Sequence, residues 1–111
     1  MNQDIERYLE KFDEETRKRF MILYELVHTS LSQTIEEKLW AKIPSFYVGD
    51  HYVRIIPFKD HINIQAKAIL SYKESLNEFQ ITPKGMLQIK HTQKVPIEVL
   101  KKILQESLDG T

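Results

Sequence analysis

The sequence predicts an α+β domain, a mostly antiparallel sheet with helices packed on one face. Three observations predict it. Two amphipathic stretches open the chain, aromatic and β-branched runs separated by turn residues fill its middle, and a proline-started apolar stretch closes it. The expected order is ααβββ(β)αβα, within a single domain over residues 1–111.

Ile5, Tyr8, Leu9 and Phe12 recur at steps of three and four, which predicts a short helix from about Gln3 to Phe12. Asp13 reads as the N-cap of a second helix, with Glu14 and Glu15 in its first turn. That helix runs over about 14–31, with Phe20, Leu23, Tyr24, Val27 and Leu31 as its buried stripe. "EKLWAKIPSFYV" then reads as extended. "FYVGDHYVRIIPF" reads as a hairpin reversed at Gly49-Asp50, where glycine supplies the positive φ of a tight turn. Pro57 lacks a donor and marks an edge, a bulge or a bend. "HINIQ" is a further short strand, and Ala66 to about Leu76 a helix with Ile69, Tyr72 and Leu76 on one face. "TPKG" is a turn, and "MLQIK" a strand with Leu87 and Ile89 on one side. Pro96 opens the last helix, whose apolar face is Ile97, Leu100, Ile103, Leu104 and Leu108, with Gly110 as its stop.

Composition narrows the function. A hydrophobic fraction of 41% and a charged fraction of 29% are those of an ordinary globular domain rather than a disordered chain. Sixteen basic residues balance sixteen acidic ones, so the whole-chain charge gives no reason to expect nucleic acid, although a local basic patch is compatible with it. Without cysteine there is no disulfide, thiolate metal site or cysteine nucleophile. The charged first residues carry no apolar leader, and no stretch approaches the roughly 20 apolar residues of a membrane span. The expectation is a cytoplasmic protein with neither a nucleic-acid nor a membrane partner. No serine stands in a nucleophile elbow and no glycine-rich phosphate loop exists, so an enzyme is not expected.

Asp50-His51 and Asp60-His61 together resemble a four-ligand metal set. Ten residues of extended chain would separate them by on the order of 30 Å, against metal–ligand distances of roughly 2 Å, so they are not expected to share an ion. Trp40, Phe46, Tyr47 and Tyr52 would either stack a ligand or fill the core; His28 reads as a half-buried helix residue and His91 as an exposed one.

"WAKIPSFYV", "IPFKDHINI", "ITPKGMLQI" and "VPIEVLKKIL", in that order and spacing, resemble the YdhG-like family, a domain of unknown function. The residues that carry the likeness are Trp40, Pro44 and Phe46; Phe58, Lys59, His61 and Ile62; Lys84 and Gly85; and Pro96, covering about Ile35 to Leu104. The chain departs from the family pattern at Ala41-Lys42-Ile43, where a tyrosine-glycine pair is usual, and at Met86, where a small polar residue is usual. The resemblance implies a frataxin-like fold and, from one branch, an intracellular iron chaperone that supplies iron–sulfur or haem assembly proteins. Iron would be held weakly by surface carboxylates. The nearest equivalents here are Asp4, Glu6 and Glu10, then Asp13, Glu14 and Glu15, and hard oxygen ligands suit iron. The same residues also read as a solvated helix face and a dipole-complementing first turn. A second expectation places a small-anion or partner site at Lys59 and His61, two apart on one strand face, beside Pro44, Phe46 and the Lys84-Gly85 turn.

Overall fold

The computed structural model describes residues 1–109, and the expected stop at Gly110 lies outside the described residues. Helices α1 (Gln3–Leu9) and α2 (Glu14–Ser30) lead into strands β1 (Glu36–Trp40), β2 (Ile43–Val48), β3 (His51–Pro57) and β4 (His61–Ala66). A 3₁₀ segment (Lys67–Leu76), strands β5 (Gln80–Ile81) and β6 (Leu87–Lys90), and helix α3 (Ile97–Asp109) follow. The sheet has the order β1-β2-β3-β4-β6-β5, with every neighbouring pair antiparallel. The fold is therefore α+β, as the sequence predicts.

Local chemistry accounts for the helix starts. The Asn2 side chain accepts from Asp4 N and Ile5 N, and the Asp13 side chain accepts from Thr16 N at 2.9 Å. Helix α1 ends at Leu9, a turn earlier than expected, because Phe12 N closes onto the Leu9 carbonyl and Asp13 restarts the chain.

Two local readings are corrected, and one short strand is added. The stretch 36–48 is two strands, reversed at Ala41-Lys42, where both residues take positive φ (51° and 66°). Neither residue advertises that conformation, so the turn is set by the pairing of Trp40 with Ile43 and of Leu39 with Pro44. The stretch 67–76 is 3₁₀ rather than α and kinks at Tyr72 (φ −114°), whose hydroxyl bonds the Glu106 carboxylate. Strand β5 is only two residues long and carries no readable alternation.

One sheet face packs on the helices. Its cross-strand rows are Phe46–Val53–Ala66, Ile55–Ile64–Leu87 and Pro57–Ile62–Ile89, and they meet Phe20, Leu23 and Val27 of α2 and Leu100, Ile103, Leu104 and Leu108 of α3. Ile97, expected on the apolar face of α3, is half exposed at its first turn. Ser107 is buried among the apolar residues of α3 because its hydroxyl accepts from Ala68 N at 3.0 Å, tying the 3₁₀ segment to the helix. Among the described residues, no helix covers the opposite face of the sheet.

Candidate functional site

The two halves of the expected anion pocket lie at opposite ends of the sheet. Lys59 sits in the β3–β4 turn, which Phe58 N closes onto the His61 carbonyl at 2.8 Å. The Lys84-Gly85 turn lies at the other end, before Leu87, which pairs with Ile64. Strand β4 separates the two by on the order of 17 Å. Lys59 is thus a turn residue and does not share a strand face with His61. Pro44 and Phe46 are buried, and Phe46 points into the core, edge-on to Tyr24 (5.8 Å) and to His28 (6.1 Å). Antiparallel pairing imposes this arrangement, since successive turns of a meander alternate ends.

The Lys59 end holds a polar group. Lys59, Lys11, Phe12, Asp13 and Thr16 surround a small cavity of about 340 Å³. Thr16 Oγ1 lies 3.1 Å from His91 Nε2, so His91 is half buried there and not exposed as its place after β6 suggests. His61 Nδ1 lies 2.7 Å from Asp60 Oδ1, and its ring stacks on Phe58 at 4.5 Å. The contact with His61 holds the Asp60 carboxyl below the usual range, and the hydrogen bond from Thr16 does the same for Asp13.

The Lys84 end holds the larger cavity, of about 520 Å³, within the size range of small-molecule sites. Lys67 and Lys84 flank it, with His51, Tyr52 and Gln65 as polar neighbours, and Asp50 is its carboxylate. His51 and His61 begin strands at opposite ends. The six steps of β3 put them roughly 20 Å apart, less than a straight strand implies because residues 58–60 form the turn.

The expected iron ligands lie on the first two helices. Asp4, Glu6, Glu10, Asp13 and Glu14 are exposed. Glu6 and Glu10, four apart, share one flank of α1, whereas Asp4 lies nearer Arg7. Asp13 is engaged as the cap of α2, and Glu14 lies 3.6 Å from Lys18. Among the described residues, no three His, Asp or Glu side chains converge as a ready-made metal centre.

Helix α1 also lies along edge strand β1. Asn2 N donates to Glu37 Oε1 at 2.9 Å, and Asn2 Nδ2 donates to the Glu37 carbonyl at 3.2 Å. The Tyr24 hydroxyl donates to Glu37 Oε2. Burial pushes the Glu37 carboxyl up, but the bonds from Tyr24 and Asn2 and the nearby His28 outweigh it and hold the group low. Burial and the same carboxylate push the Tyr24 phenol up, and the charge of Glu6 adds to the effect. Sequence reasoning missed Glu37 because only the docking of α1 on β1 brings it against the start of that helix.

Family models, curated proteins and solved structures all return no match to this chain.

Proposed function

We propose that this protein is a small cytoplasmic carrier that holds iron weakly on surface carboxylates and supplies it to iron–sulfur or haem assembly. The observation that carries this reading is the acidic first helix, where Glu6 and Glu10 lie four residues apart and exposed, at the edge where Asn2, the cap of the same helix, bonds Glu37 of strand β1. Carboxylate oxygens suit hard cations. A carrier must also release its metal, so exposed, partly hydrated ligands serve it better than a closed cage. The resemblance to the YdhG-like family supports the same reading. Titrating ferrous iron anaerobically while recording amide spectra tests it. The expected result is broadening centred on residues 4–10 and 36–37; broadening centred on His51 or His61, or none at micromolar iron, would overturn it.

The larger cavity favours a second reading, a site for a small anion. Lys67 and Lys84 outnumber Asp50 there, and Tyr52 and Gln65 add polar contacts. This reading moves the anion site from Lys59 and His61 to the Lys84-Gly85 turn. Amide shifts at 65–67 and 84–85 on adding inorganic phosphate, indifferent to iron, distinguish it from the carrier.

A further inference from the structure

The uncovered face of the sheet gathers aromatic rings and positive charge. Cross-strand register places Tyr47 and Tyr52 in one row with Glu36, and Lys38, Ser45, Arg54 and Gln65 in the next. Trp40, Ile43, Ile56 and Asn63 follow, then His61 with Lys90. Lys38, Arg54 and Lys90 thus gather on this face, with Glu36 in its strand rows and Asp60 beside His61 at its edge, on a chain that is neutral overall.

Arg54 is the unusual member. It is only 6% exposed, yet no carboxylate among the described residues pairs with it. Its guanidinium lies between the Trp40 ring (4.0 Å) and the Tyr52 ring (3.9 Å). Only neutral groups hold it, Ser45 Oγ at 3.2 Å and Gln65 Oε1 at 3.4 Å. A buried cation is ordinarily paired, so this charge stands ready for an anion. The stack also fixes the pose of Trp40, which remains 51% exposed on edge strand β1. Phe58, 41% exposed and stacked on His61, offers a second ring at the far side. The span from β1 to β4 is three strand spacings, on the order of 14 Å.

We propose that this face binds single-stranded nucleic acid, its bases stacking on Trp40 and on the Phe58–His61 pair and its phosphates meeting the exposed Lys38 and Lys90, with the ring-stacked Arg54 adding positive potential beneath them. Rings at fixed spacing with cations between them are the elements of sequence-tolerant single-strand binding. A duplex is a poorer fit, because its bases are already stacked and no described helix projects from this face into a groove. A second copy of the chain is disfavoured, because two such faces would oppose like charges.

Trp40 is the only tryptophan in the chain, so its fluorescence reports directly on this face. The probe is an oligothymidylate of about eight nucleotides, within the roughly 4–16 that such surfaces take. Inorganic polyphosphate and a polyglutamate peptide serve as parallel probes. The expected result is quenching by the oligonucleotide alone, with log affinity falling by about 0.7 per phosphate contact as log salt rises. The exposed pair Lys38→Glu and Lys90→Glu leaves the core intact and is expected to weaken binding and flatten that slope. Trp40→Ala, followed by anisotropy of a labelled oligonucleotide, is expected to cost roughly five- to a hundred-fold. No quenching, or equal binding of polyphosphate or the peptide, or full retention of binding in the Lys38/Lys90 double variant, would overturn the proposal.

Discussion

Glu37 Oε2 lies 2.7 Å from His28 Nε2, across the junction of edge strand β1 with helix α2. With Tyr24 and Asn2 bonded to the same carboxylate, one side chain links α1, α2 and β1.

Replacing that carboxylate is expected to loosen this edge. Glu37→Gln keeps the shape but weakens charge-assisted bonds, and a loss of about 2 kcal/mol by urea denaturation is expected. The pH dependence has a definite sign. The folded-state pKa of Glu37 is depressed, so its stabilisation is present above the unfolded value of about 4.3 and is lost as pH falls through the folded value. Tyr24 is shifted up, so its contribution is present below about 10 and is lost as pH rises further. Glu37→Gln is expected to flatten the acid limb of stability against pH, and Tyr24→Phe the alkaline one.

The Ala41-Lys42 turn holds two non-glycine residues at positive φ. Ala41→Asn with Lys42→Gly fits the two-residue hairpin turn without that strain. A stabilisation of about 1 kcal/mol is expected, read as a higher Tm, with the fold unchanged by amide spectra.

Ser107→Ala removes the acceptor for the buried Ala68 N–H. A cost of about 1–3 kcal/mol is expected from the stranded donor. Amide exchange should speed up first in the 3₁₀ segment, because that bond fastens its start to α3.

Glu6→Gln with Glu10→Gln is expected to abolish iron-induced broadening over residues 4–10, whereas Asp13→Asn leaves it intact because Asp13 serves as a helix cap. Equal loss in both variants would show that the iron contacts are not specific to the α1 edge.

Lys84→Glu is expected to abolish phosphate-dependent shifts at residues 65–67, and Lys59→Glu to leave them unchanged. The two lysines belong to different cavities. The reverse pattern would return the anion site to the β3–β4 turn.

Much of this architecture was legible residue by residue. Asp13 as a cap, Gly49 at positive φ (58°), the buried alternation of Leu87 and Ile89 and the stripe of α3 all follow from local geometry. The candidate site was less legible. Trp40, Tyr47 and Tyr52 lie on the outer face while Phe46 alone of that group enters the core. A signal for Arg54 was present: a guanidinium within the apolar run "YVRII", with an aromatic two residues before it.

The sequence by itself determined most of the elements, their order and the reversal at Gly49-Asp50, because a helical stripe, a cap or a glycine turn depends on residues a few positions apart; the reversal at Ala41-Lys42 carries no such local signal. Only the tertiary structure decided which of two partly apolar strand faces the helices cover, and which turns share an end of the sheet. Both depend on pairing between distant segments: Ile55 and Ile56 are alike in chemistry, and it is the register with β2 and β4 that sends one to the core and the other to the open face beside Arg54.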